Sequence, residues 1–175
     1  LPAAILAASF EGSFLTQSNR IGLIAFGLAG FGVLLWAADR RPQTKAVVKD
    51  LTMRRAALLG WGQCFALLPG VSRSGINITI ARTLGYRRSD AARIAFLMGL
   101  PIIGGAAIYR LFGVISDGLP NGMWSVLAVG AFSSAVTGWF AIHVVLRWVR
   151  THSYAGFAAY RLCLALAIAI VLWSR

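Results

Sequence analysis

Long uncharged apolar runs alternate with short basic stretches along this chain. Ile21 to Ala38 is 18 uncharged residues, which at about 1.5 Å per residue reaches roughly 27 Å and just crosses a hydrocarbon core. Met123 to Leu146 crosses more comfortably, and Ala155 to Ser174 reads as a third span interrupted by Arg161 alone. Ile94 to Tyr109 reads as a fourth, shorter span broken by Pro101 and the Gly104-Gly105 pair, and Leu1 to Phe10 as the end of a further helix.

Between Ala56 and Leu84 the pattern changes. A short apolar stretch runs to Leu68, Pro69 and a Gly/Ser-rich turn with Arg73 follow, and a second short stretch leads to Leu84. Neither arm is long enough to span, so the segment is expected to be a re-entrant helix, loop and helix that enters and leaves on one face. The basic residues favour that topology. With the Arg40 to Arg55 loop inside, the hairpin also places Arg82, Arg87, Arg88 and Arg93 inside, followed by Arg147 and Arg150. Arg20, Arg110 and Arg175 fall outside, which leaves only Arg73 and Arg161 at membrane depth. A full crossing would split the two large basic loops across the bilayer, against the positive-inside rule.

Composition agrees. Of 175 residues, 58% are hydrophobic and 13% charged, with mean hydropathy +0.74, too few polar side chains to coat a soluble surface. The formal net charge of +12 lies in blocks between spans, so nucleic acid is excluded as the partner. The fold class expected is all-α: one polytopic transmembrane domain over residues 1–175 with a re-entrant hairpin. Trp36, Trp124, Trp148 and Trp173 sit at or beside span ends, as interfacial belts do. Gly130, Ser134 and Gly138 share a helix face that is expected to admit a neighbouring helix. Cys64 and Cys163 sit in apolar stretches and read as small buried hydrophobes, not as a disulfide or metal framework. The chain opens on Leu1 without a basic n-region, so its first apolar stretch is expected to be the tail of a larger protein and not a signal peptide.

Chemistry concentrates at Gln63 to Asn77, QCFALLPGVSRSGIN. Pro69 ends the first short helix, Gly70 and Gly75 permit turn geometries closed to other residues, and the second helix is expected near Ile76. Amides of the turn and helix start, the hydroxyls of Ser72 and Ser74 and the Arg73 fork would then converge on an anion, with phosphate the natural guest. A Gly/Ser turn serves helix packing equally well; Arg73 tips the balance. An arginine at membrane depth costs roughly 2.5 to 3.5 kcal/mol and needs a ligand, counter-charge or water, and no acid lies nearby in sequence. Walker A and GxSxG patterns are both absent. Thr79 and Thr83 stand where a phosphatidic-acid phosphatase signature would have His and Asp.

PGVSRSG at Pro69 to Gly75, preceded by Gln63 and followed by SDAARIAFLMGLP at Ser89 to Pro101, resembles the second signature of the undecaprenyl-diphosphate phosphatase (bacitracin-resistance) family. LPAAILAASFE at Leu1 to Glu11 and the later spans look like that family's later two-thirds. The resemblance implies a multi-pass hydrolase of the bacterial inner membrane that removes one phosphate from a C55 polyprenyl diphosphate and recycles the lipid carrier for cell-wall synthesis. It also implies two inverted repeats whose hairpins meet in one cleft. The other repeat, with paired glutamates and a Ser/His loop, would lie upstream of Leu1. Asn77 stands where the family usually has Thr, and Ala95 where it commonly has Ser.

On this reading Arg73, Ser72 and Ser74 are the candidate catalytic residues, and Gly70, Gly75, Asn77 and Gln63 the candidate substrate-binding residues. Glu11, Asp39, Asp50, Asp90 and Asp117 are dispersed, so a divalent metal (Mg or Ca) would be held by residues outside this chain. The expected partners are a polyprenyl diphosphate and membrane lipids; a homodimer is left open. A non-catalytic carrier of a phosphorylated lipid would use the same hairpin. His143 and His152 read as packing or interfacial residues, and Arg161 as snorkelling to the inner surface.

Overall fold

The uncharged run after Arg20 forms a single helix, α1 (Gln17–Asp39). The computed structural model describes residues 17–42, 46–118 and 123–174, so the expected helix end at Leu1 to Phe10 lies outside the described residues. After α1 come α2 (Met53–Gly62), a 3-10 turn (Gln63–Leu67), α3 (Arg73–Thr83), α4 (Arg88–Asp117), α5 (Met123–Trp148) and α6 (Ala155–Trp173). Helices α1, α4, α5 and α6 are each long and apolar enough to cross a membrane. Phe26, Leu100, Phe112, Phe132, Trp139 and Trp173 stand exposed on them, as side chains that face lipid do.

The re-entrant expectation is met in the way the two arms begin and end. Ala46 bridges Tyr86, the Arg87 amide donates to the Ala46 carbonyl at 3.3 Å, and the Tyr86 hydroxyl donates to the Asp50 carbonyl at 3.2 Å. The chain therefore leaves the hairpin where it entered. Thr52 caps α2, its Oγ1 accepting from the Arg55 amide. With ten residues in α2 and 11 in α3, each arm is only about 15 to 17 Å long. Gly62 makes their close approach feasible, because a Cβ there would collide with Ile80.

α1 packs along α6 and beneath α3, with Gly32 against the Ala158 carbonyl and the Arg161 stem. The core gathers at the basic end, where Leu59, Ala81, Tyr86, Ala91, Ile94, Val149 and Tyr154 are buried together. Asp39 ties this end. Its Oδ1 accepts from Arg82 Nε (3.2 Å) and Arg88 Nε (2.8 Å), and its Oδ2 from Arg88 Nη2 (3.0 Å) and the Tyr154 amide (2.9 Å). Arg82 spends its other donors on the carbonyls of Tyr86, Asp39 and Arg41. Sequence position alone made Arg82 and Arg88 topology signals; they are also the clamp that joins α1, α3, α4 and α6.

Two expectations are corrected. The broken span at Ile94 to Tyr109 is one continuous helix of 30 residues with Pro101 inside it. Proline removes one ladder donor, and the helix continues past it as membrane helices tolerate. The Gly130, Ser134 and Gly138 face meets no helix among the described residues: a Cβ added at either glycine would meet nothing within 4 Å outside its own helix backbone, and α5 buries none of its residues.

Candidate functional site

Pro69 and Gly70 form the tip of the hairpin, and the tip is pressed against the middle of α1. Gly70 adopts φ +83° and lies on the Ile24 backbone, where a Cβ would clash with the Ile24 carbonyl. Gly27 faces the Pro69 carbonyl with no room for a side chain. Counting back 12 residues from Asp39 at the basic end, Gly27 lies about 18 Å deep, near the middle of a bilayer core. The loop therefore sits where a charged residue is most costly.

α3 begins at Arg73, three residues earlier than the sequence pattern suggests, because Ser72 is its N-cap. Ser72 Oγ accepts from the Gly75 amide at 3.2 Å and lies 3.1 Å from Ser74 Oγ. The Ile76 amide bonds back to the Ser72 carbonyl. That leaves the amides of Arg73 and Ser74, the first two helical positions, as unpaired donors among the described residues, the usual anion-binding feature of a helix start. The side chains of Arg73 and Ser74 are exposed, and Arg73 makes no hydrogen bond or ion pair among the described residues.

Arg161 departs most from expectation. Instead of snorkelling to the basic surface it points into the hairpin, 8% exposed. Its Nη2 donates to the Gly70 carbonyl at 2.9 Å and the Gly27 carbonyl at 3.5 Å, and its Nε to the Leu28 carbonyl at 3.5 Å. A Cβ on Gly75 would lie 3.3 Å from Arg161 Nη1. A second guanidinium thus lies against the same turn as Arg73, and no ion pair neutralises either among the described residues. The signal that pointed to Arg73, an arginine at depth with no acid nearby, was present for Arg161 too; its six-residue distance from the start of α6 masked it.

Behind the turn, Asn77 Nδ2 donates to Gln63 Oε1 at 2.7 Å, with both residues buried at 1% and 4% exposure. Asn77 Oδ1 has no partner among the described residues. The structure thus brings Gly70, Ser72, Arg73, Ser74 and Gly75 together at the tip and places Gln63 and Asn77 against each other inside the hairpin. His143 stacks on Trp139 and His152 on Trp148, away from the turn. Chemically, the tip can offer an anion the Arg73 guanidinium, two free amides and the Ser74 hydroxyl, with Arg161 bracing the turn from its buried side.

The bacitracin resistance protein BacA family model matches residues 1–167. An undecaprenyl-diphosphatase of Pelobacter propionicus is 41% identical over 174 residues, 98% of this chain and 63% of the relative. Those of Geobacter metallireducens and Geotalea daltonii are 37% and 40% identical, over 100% and 94% of this chain and 65% and 63% of their own lengths. The chain thus spans less than two thirds of these relatives. A match that runs through every described helix but the end of α6, with the hairpin at its centre, settles the kinship: the chain belongs to the bacitracin resistance protein BacA family.

Proposed function

We propose that the protein to which this chain belongs hydrolyses undecaprenyl diphosphate to undecaprenyl phosphate and inorganic phosphate in the bacterial inner membrane, and that the hairpin tip grips the diphosphate. The observation that carries this reading is Arg73 at a mid-depth turn, exposed and with no carboxylate to neutralise it among the described residues, while Arg161 braces the same turn through the Gly70 carbonyl. The name of the relatives, undecaprenyl-diphosphatase, favours the hydrolase over a passive carrier.

Arg73 clamps the diphosphate through its free fork, and Ser74 with the Arg73 and Ser74 amides hydrogen-bonds its oxygens. Ser72 holds the helix start in place, and Gly70 and Gly75 let the backbone come close. Gln63 and Asn77 support the turn from behind. In the hydrolysis the terminal phosphorus gains a bond to an oxygen that comes from water, the anhydride P–O bond breaks, the lipid phosphate leaves, and the water proton passes to a group outside the described residues; positive charge at the turn stabilises the negative charge that develops on the oxygens.

No group of three His, Cys, Asp or Glu side chains that could hold a metal ion occurs among the described residues, and Asp39 is committed to two arginines. These residues do not fit a divalent ion, so its ligands, like the nucleophile-activating group, belong to residues outside this set. A second copy of the chain is not required by this reading.

The test is phosphate release by the full-length protein from undecaprenyl diphosphate in detergent, with Arg73→Ala alongside. A fall of about a hundredfold or more is expected. Equal release from both proteins removes Arg73 from the site.

A further inference from the structure

A second basic cavity lies at the opposite end of α3. It has a volume of about 360 Å³ and is lined by Trp36, Asp39, Arg40, Arg41, Arg82, Arg88, Ser153 and Ala155. Arg82 is nine residues along α3 from Arg73, roughly 14 Å, so this cavity is separate from the hairpin tip.

Its electrostatics are lopsided. Four arginines face one carboxylate, and both oxygens of Asp39 are already taken by Arg82, Arg88 and the Tyr154 amide. Arg82 is consumed by Asp39 and three backbone carbonyls. Arg40 and Arg41 are exposed and have no carboxylate among the described residues. Arg40 lies over the Trp36 ring, 3.8 Å from its centroid, which fixes the guanidinium beside an indole that is 40% exposed. Tryptophan at a span end marks the headgroup level, and the positive-inside rule puts this basic end in the leaflet rich in anionic lipid.

We propose that this cavity binds the phosphate of an anionic phospholipid headgroup, held by Arg40 and Arg41 with the Ser153 hydroxyl beside them, and that the lipid thereby seals the junction of α1, α4 and α6. A free phosphate ion offers the same charge; the lipid is favoured because Trp36 supplies an apolar wall at headgroup depth for the glycerol and upper acyl chain.

The full-length protein is titrated with phosphatidylglycerol and its bound-lipid states are counted by native mass spectrometry, with phosphatidylcholine and inorganic phosphate as separate arms. Arg40→Gln/Arg41→Gln removes two charges at the cavity; Arg147→Gln/Arg150→Gln removes two elsewhere among the basic loops. The first double variant is expected to lose at least tenfold in phosphatidylglycerol affinity and the second less than threefold, with Arg40→Lys/Arg41→Lys retaining most of it. If the glutamine pair fails to fold, single Arg41→Gln carries the same comparison. Equal losses in both double variants, or phosphatidylcholine bound as tightly, overturn the site. Displacement of the lipid by millimolar inorganic phosphate overturns the lipid assignment and leaves a soluble anion as the ligand.

Discussion

Arg161 donates to the Gly70 carbonyl at 2.9 Å, joining the last helix to the tip of a hairpin 91 residues earlier in the chain. The bond explains how an irregular turn stays at membrane depth. Its carbonyls have no water to turn to, and a buried cation supplies the missing donors.

Removing that cation should loosen the turn. Arg161→Ala strips the Gly70, Gly27 and Leu28 carbonyls of charge-assisted bonds, worth about 1.5 to 3 kcal/mol each at most. A lowered melting temperature in detergent and reduced phosphate release should appear together. Arg161→Lys should recover part of both, since one ammonium can reach a carbonyl but cannot reproduce the fork.

Arg73 should behave oppositely. It is exposed and makes no hydrogen bond or ion pair among the described residues, so Arg73→Ala should leave the melting temperature within about a degree or two while abolishing most phosphate release. The same pair of assays on Arg73 and Arg161 separates gripping from scaffolding.

Glycine substitutions should sort by what they meet. Gly70→Ala faces both a positive φ and the Ile24 backbone, and should destabilise by at least about 2 kcal/mol. Gly27→Ala should destabilise comparably through Pro69. Gly22→Ala, on the same helix with nothing within 4 Å, should be neutral or stabilising by about 0.5 to 1 kcal/mol. Thermal melts of the three proteins check the ranking.

Alkaline stability should depend on Tyr154. Burial, aided by nearby Asp39, pushes its hydroxyl well above the usual value of 10.0, and that hydroxyl donates to the Arg88 carbonyl at 2.9 Å. The folded state therefore holds this proton more tightly than the unfolded state. Its contribution is complete below pH 10 and is lost as pH rises beyond it. Melting temperature should fall more steeply above pH 10 for the native protein than for Tyr154→Phe.

Spans, hairpin and turn were legible because each rests on local rules: run length, Pro69, the glycines and the basic loops. What escaped needed tertiary information. The Asp39 clamp joins residues 43, 49 and 115 positions apart, and no spacing rule connects them. Arg161 looked peripheral because distance along its own helix says nothing about which way its side chain turns. Pro101 signals a break in a soluble helix, but a membrane helix continues through it.

The docking of the hairpin beneath α1 and against Arg161 constrains biogenesis. Its arms are each too short to span, and the donor that holds its apex is made 91 residues after Gly70. The loop therefore lacks its brace until α6 has been made, so a premature stop ahead of α6 would yield a chain whose earlier helices form while the turn never docks.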